Sequence, residues 1–363
     1  MMISGPLLFR ADANVAMGTG HVMRCLALAQ AWQDSGGRAI FAMSGTTSAV
    51  TERLQSESCE VRAVSATPGS QEDSRQTTVL ARELHAEWVV VDGYQFSGDY
   101  QRALKAAGCK VLFVDDYGHA GHYSADLVLN QNVGADDGLY KDRGSYTRLL
   151  LGTRYCLLRR EFNSWRAWKR EIPAVGRKVL IAMGGSDPDN FTQVAMRALR
   201  LVDIHGLDTQ GLETTVVVGG SNPHWASLQK SASEFAGSLQ LRRDVADMAE
   251  LIAGADVAVS AAGTVCWEMC LLGLPALLIH VAENQRAVAE GLDKQGCAIH
   301  LGNLQHVSAE KVASQLQRLL NSLETRRSLS LHARELVDGE GAKRIASALS
   351  REESSLSPPS RTE

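Results

Sequence analysis

Long apolar runs are missing from this 363-residue chain. None approaches the roughly 18–20 residues of a transmembrane span, so no membrane-spanning segment is expected. The N-terminus, Met1 to Arg10, lacks a basic stretch followed by a long apolar one, which argues against a signal peptide. An excess of either charge is missing as well. With 37 basic and 41 acidic residues the formal net charge is −4, which offers no general attraction to nucleic acid or to an anionic membrane surface. The seven cysteines are odd in number, sit in apolar segments and form no Cys-x-x-Cys pair. That usage predicts reduced, buried thiols in a cytoplasmic protein, not a disulfide framework. No Walker P-loop, complete dinucleotide fingerprint, Gly-x-Ser-x-Gly elbow, zinc tetrad or kinase set is present. An anionic ligand would have to be held by local features.

What is present is an ordinary globular composition, 45% hydrophobic and 21% charged, in a chain longer than one hydrophobic core usually serves. Short runs at Leu7–Ala11 (apolar but for Arg10), Ala39–Ala42, Trp88–Val91, Val111–Val114 and Leu127–Leu129, continuously apolar rather than alternating, read as parallel strands covered on both faces. Helical patterns lie between them, near 21–34, 47–56, 73–85 and 98–107. A second series opens at Lys178–Met183 and continues through a helix at Asn190–Leu201 and strands at Thr214–Val218, Ala255–Ser260 and Pro275–Ile279. The expected fold is therefore α/β, with two doubly wound, Rossmann-like domains facing each other across a cleft. The boundaries are placed at 1–158 for the first domain, 159–173 for a charged, Trp-containing linker and 174–350 for the second. The Ser/Pro-rich stretch 351–363 reads as a disordered tail.

Both halves open with a strand, a Gly-rich loop and a helix, and ligands of such folds sit at the C-terminal ends of strands. In the first loop, Gly18-Thr-Gly20 lets a ligand approach the backbone, and His21 follows at the loop–helix junction, where a base could act. Arg24 is the only formally charged residue from Val22 to Gln33. A cation in a first turn opposes the helix macrodipole, so it needs an anion, either Asp12 or a ligand phosphate. In the second half, Asp187-Pro188 reads as an N-cap with proline at the first helical position, leaving Gly184, Gly185 and Ser186 to line the cleft. The better phosphate site is Ser260-Ala-Ala-Gly-Thr264, where a helix beginning at Thr264 has no acid in its first turn and Glu268 follows one turn on, placed for a ribose diol. The strand ending near Ile279 should offer backbone groups to a base, and Asn284 is either a cap or a sugar contact. Asp115, Asp116, His119 and His122 have a spacing that resembles a metal site, but a loop organised by its acids is the preferred reading, and no metal is expected.

Several of these blocks together resemble the UDP-2,4-diacetamido-2,4,6-trideoxy-β-L-altropyranose hydrolases of pseudaminic acid biosynthesis. They are Arg10-Ala-Asp12, Gly18-Thr-Gly-His-Val-Met-Arg-Cys25, Val91-Asp-Gly-Tyr94, Val114-Asp-Asp116, Asn130-Gln-Asn132, Gly152–Arg159, Glu161-Phe162, Gly184-Gly-Ser-Asp-Pro188, Ser260–Thr264, Glu268 and Glu283-Asn-Gln285. The resemblance covers nearly the whole chain except the tail, and its C-terminal half is shared with GT-B glycosyltransferases. It implies a GT-B fold, UDP in the second domain, and inverting, metal-independent hydrolysis at the sugar's anomeric carbon with His21 as the base. It also implies Glu268 at the ribose and Gly263 and Thr264 at the diphosphate; Ala262 and Ile279 are further expected contacts at the two strand ends. Arg10 or Arg24 would help the phosphates across the cleft. Asp12, Gly20, Tyr94, Gly185, Ser186, Asn284 and Gln285 complete the expected substrate contacts. The partner is a UDP-sugar alone, with no cofactor, nucleic acid, membrane or obligate protein partner. The chain is longer than compact members of that family, with extra sequence around 205–215 and at the C-terminus. A glycosyltransferase passing the sugar to an alcohol acceptor, and a nucleotide-sugar binder without turnover, are the alternatives.

Overall fold

A computed structural model describes residues 5–14, 18–202, 211–235, 237–243, 245 and 247–354, with the side chains of 351–354 outside the description. Most of the extra sequence around 205–215, and the tail from 355 on, lie outside the described residues.

The first domain is built on strands β1 (Pro6–Ala11), β2 (Arg38–Met43), β3 (Glu60–Ala63), β4 (Trp88–Asp92), β5 (Lys110–Val114), β6 (Leu127–Asn130) and β7 (Arg148–Leu151). They form one parallel sheet in the order β3-β2-β1-β4-β5-β6-β7. The second domain carries β8 (Lys178–Ala182), β9 (Glu213–Val218), β10 (Ser238–Arg243), β11 (Val257–Ala261), β12 (Ala276–His280) and β13 (Ile299–Asn303), again parallel, in the order β10-β9-β8-β11-β12-β13. The central strands are apolar and buried on both faces, so each sheet carries two hydrophobic cores. Two doubly wound α/β domains are thus confirmed. Four strands were not anticipated, β3, β7, β10 and β13, and they are the four edges of the two sheets.

Helix α1 (Gly20–Asp34) is buried on most of its surface, as its nearly uncharged sequence demands. One side packs on the sheet; the other is covered by the final helix α12 (Gly341–Ser354), whose Ala342, Ile345, Ala346 and Leu349 join the first domain's core. The chain therefore crosses back. The expected second domain, 174–350, gives up its last helix to the first, and that helix runs four residues into the stretch read as tail. The connection between the domains is packed as well. Leu157 belongs to the first domain's core, while Cys156, Leu158 and Phe162 belong to the second, and Trp165 and Trp168 meet edge to face at 5.4 Å. All seven cysteines are buried and free. Among the described residues no helix is long and apolar enough to cross a membrane.

Candidate active site

The C-terminal ends of β1, β4 and β5 face those of β8, β11 and β12 across a cavity of about 710 Å³ lined by both domains. The Gly-rich turn before α1 lies against both Gly-rich loops of the second domain. A Cβ on Gly185 would come within 2.9 Å of Thr19 Oγ1, one on Gly18 within 3.9 Å of Ser186 Oγ, and one on Gly20 within 4.0 Å of Thr264 Oγ1. At Gly185 the absence of a side chain is what allows this closeness, whereas the other two distances are ordinary van der Waals contacts.

His21 lines the cavity from the first turn of α1. Its Nδ1 lies 2.7 Å from Oδ1 of Asp92, the fully buried last residue of β4. One turn on, Arg24 donates to the same carboxylate through Nε and Nη2, both at 2.7 Å. Through Nη1 it donates to Asp116 at 2.8 and 3.0 Å. The anion that Arg24 requires is thus a pair of carboxylates, not Asp12 and not a ligand phosphate. Burial by itself would raise the Asp92 carboxyl, but Arg24 and His21 overcome it and hold it well below the usual range. Asp116 is lowered too, burial again being overcome by Arg24. Asp116 also accepts from Asn132 Nδ2 at 2.9 Å and from the Tyr94 hydroxyl at 2.7 Å. Burial and the Asp116 charge push the Tyr94 phenol up, so it stays a donor. Its ring stands edge-on to His21 at 4.8 Å.

Arg10 and Asp12 are buried and do not line the cavity. Arg10 is fully buried, pairs with both oxygens of Asp73 at 2.9 Å and with Asp12 at 2.8 Å, and sits over the Phe96 ring. Asp12 also accepts from the backbone N–H groups of Ser44 and Gly45, the Ser44 hydroxyl and Gln95 Nε2. Neither side chain reaches the cavity, and each buried charge is matched by protein partners instead. This corrects both assignments.

In the second domain, α8 (Val265–Leu271) begins one residue later than expected, with Thr264 as its N-cap residue. Glu268 therefore falls within the first turn, and its Oε1 accepts from Arg159 Nη2 at 2.8 Å. Ala262, Gly263, Thr264 and Glu268 all line the cavity, as do Gly185, Ser186, Asn284 and Gln285. Ile279 does not. Its side chain is fully buried in the core and its carbonyl is taken by the Ala262 N–H at 2.9 Å, so Val281 and Ala282 form the wall there instead. Gln285 Oε1 accepts from Val281 N at 3.1 Å. Asn284, on α9 (Glu283–Lys294), reaches across to Tyr94. The Asp187 loop also differs from expectation. Helix α5 (Phe191–Leu199) starts after Asn190, and Asp187 caps it from outside through Phe191 N, Thr192 N and Thr192 Oγ1.

The Asp115–His122 segment is loop-organising. Asp115 accepts from Tyr117 N, Gly118 N and the Tyr123 hydroxyl and pairs with His119, whereas His122 turns to Asp142. Sequence reasoning missed Asp92 as the partner of His21 and Arg24, Asp116 as the second partner of Arg24, Asp73 for Arg10 and Arg159 for Glu268. The place of Asp92 at the end of a central strand was the available signal; Arg159 was marked only as the last residue of the Gly152–Arg159 block.

Comparison with known proteins agrees with this architecture. Residues 179–348 match the glycosyltransferase family 28 C-terminal domain. The chain is 31% identical to the spore coat polysaccharide biosynthesis protein SpsG of Bacillus subtilis over 66% of this chain and 68% of that protein. It is 26% identical to the UDP-2,4-diacetamido-2,4,6-trideoxy-β-L-altropyranose hydrolase of Campylobacter jejuni over 80% of this chain and 97% of that one. An uncharacterized Methanocaldococcus jannaschii protein is 24% identical over 81% of this chain, a match that spans 59% of the archaeal protein's own length. Among solved structures, Acinetobacter baumannii MurG superposes with a TM-score of 0.64 at 14% identity, covering 96% of this chain and all of that one. Anabaena Alr3699/HepE, crystallised with UDP and glucose, superposes with a TM-score of 0.60 at 13% identity over 96% and 99%. The fold is GT-B, and the chain belongs to the family of SpsG and the UDP-2,4-diacetamido-2,4,6-trideoxy-β-L-altropyranose hydrolase.

Proposed function

We propose that this protein hydrolyses a UDP-linked 2,4-diacetamido-2,4,6-trideoxy sugar to UDP and the free sugar, as a step of pseudaminic acid biosynthesis. The observation that carries the reading is His21, a histidine in the cavity wall whose Nδ1 is engaged by a buried carboxylate. The hydrolase relative in Campylobacter jejuni, aligned over 80% of this chain, supports the reaction class. His21 takes a proton from water, the water oxygen bonds to the anomeric carbon from the face opposite UDP, and the bond to the diphosphate breaks with its electron pair on UDP. A nucleoside diphosphate is a good leaving group, so one base and one water suffice. Main-chain N–H groups at Gly263 and Thr264 receive the diphosphate, and Glu268, oriented by Arg159, takes the ribose diol. Tyr94, Asn284, Gln285, Gly185 and Ser186 face the sugar.

The test is incubation with the UDP-sugar and no acceptor. UDP release is expected, with ¹⁸O from labelled water appearing in the sugar rather than in UDP. Silence without an alcohol acceptor would overturn hydrolysis, in favour of a transferase if an acceptor restores turnover and of a binder if the UDP-sugar binds and none does. In His21→Ala and His21→Asn, turnover should fall about 10²–10⁴-fold while UDP still binds, and near-normal turnover in either would remove His21 from the role of base.

A further inference from the structure

We propose that Asp92 is a positioning residue for His21, holding the imidazole as the Nδ1–H tautomer so that Nε2 is the acceptor on the cavity side. Its catalytic meaning rests on the hydrolase reading above, whereas the tautomer itself does not.

An ionised carboxylate only accepts hydrogen bonds. Asp92 is held ionised by Arg24 and lies 2.7 Å from Nδ1, so that nitrogen carries the proton. Arg24 Nη2 also lies 3.2 Å from Nδ1, but it is a donor and finds its acceptor in Asp92 Oδ1 at 2.7 Å. With Nδ1 committed to the interior, the ring of a cavity-lining residue offers Nε2 to the cavity.

The carboxylate that does this is itself immobile. Asp92 closes β4 in register with Ala11 of β1, and its side chain is fully buried. Three groups from one face of α1 converge on it, at spacings of three and four residues. They are His21, Arg24, and the Cys25 thiol at 3.5 Å from Oδ2. Arg24 is in turn held by Asp116 from the end of β5. Asp92 cannot touch a substrate and acts only through the imidazole. One guanidinium stands against two carboxylates here, Asp92 and Asp116. The cluster of Arg24, Asp92 and Asp116 therefore carries one net negative charge, which favours the arrival of a proton from water on His21. The Tyr94 phenol, the other polar group on the His21 ring, stays neutral.

The tautomer is read directly from a long-range ¹H–¹⁵N spectrum of protein labelled at histidine nitrogen, with His21→Asn identifying the signal. A protonated Nδ1 and an unprotonated Nε2 are expected in the parent protein; Nε2–H would overturn the proposal. In Asp92→Asn the amide must turn its NH₂ either to His21 or to Arg24. The expected result is a changed tautomer population and a kcat lowered about 10²–10⁴-fold, with KM and calorimetric UDP affinity little changed. Parent-like kcat in a variant that binds UDP would also overturn it. If Asp92→Asn fails to fold, the parent's spectrum decides. If the parent releases no UDP from any UDP-sugar, the hydrolase reading fails while the spectrum still decides the tautomer.

Discussion

Asn284 Nδ2 donates to the Tyr94 hydroxyl at 2.6 Å, joining the two domains across the cavity between residues 190 positions apart in the chain. The same hydroxyl donates to Asp116, so the contact is continuous with the cluster around His21. Because Tyr94 is 36% exposed, the bond contributes little to folding. Asn284→Ala should cost about 1 kcal/mol or less in global stability yet loosen the closed pair of domains. Small-angle scattering should show a larger radius of gyration, and an unchanged radius would mean that the contact does not hold the cleft closed.

Arg10 is expected to behave as a structural cation. Arg10→Met leaves Asp12 and Asp73 buried without their partner, which costs about 3–5 kcal/mol. Urea unfolding should show that loss, whereas the folded fraction should bind UDP with the parent's affinity. A UDP affinity that collapses with stability intact would restore Arg10 to the phosphate site.

Glu268 is balanced by Arg159 at 2.8 Å. Glu268→Gln keeps the shape but removes the charge that Arg159 orients and the ribose is proposed to use. A hydrogen bond to a charged group is worth about 1.5–3 kcal/mol, so calorimetry should find UDP binding weakened roughly 10- to 100-fold. Parent-like affinity would separate Glu268 from the nucleotide.

Acid should destabilise the protein through the Arg24 cluster. Folding depresses the carboxyls of Asp92 and Asp116. Each therefore adds stability that is present above the ordinary aspartate value near pH 4 and is lost as pH falls through the folded value. The urea midpoint of the parent should drop on acidification below about pH 4. Asp116→Asn should start lower at neutral pH and fall less steeply. Equal slopes for the two proteins would show that Asp116 does not contribute to the acid response.

Gly219 supports the loop that meets Thr19. A Cβ there would lie 2.3 Å from the Gly185 carbonyl oxygen and 2.5 Å from its Cα, both backbone atoms, so the loop itself would have to shift. Gly219→Ala should push the Gly185 loop into the cleft and reduce turnover, while Gly184→Ala, with open space around its Cβ, tests the φ of +90° alone. Normal activity in Gly219→Ala would mean that the loop moves freely.

The central strands and their helices were legible because a run such as Trp-Val-Val-Val or Ala-Leu-Leu-Ile is apolar on both faces and bounded by turn residues. The edge strands were not. Glu60–Ala63 and Ser238–Arg243 are half exposed and carry charges, which suits a strand with one neighbour and a wet face but leaves no apolar signature. The need of Arg24 for an anion was readable from its place in a first turn; its partners were not, because Asp92 and Asp116 lie 68 and 92 residues away. Arg10 was misread for the same reason, its main partner Asp73 being 63 residues distant.

Chain-local chemistry was therefore sufficient for the α/β architecture, the Gly-rich turns at the strand ends and the placing of His21 and Glu268 beside a cleft. These follow from side-chain periodicity and backbone freedom over a few residues. Which carboxylate meets which cation was decided by the packing of the whole molecule, and so were the return of α12 to cover α1 and the Tyr94–Asn284 contact. Such pairings depend on strand register and domain closure, and a buried charge takes whichever partner the finished fold brings within reach.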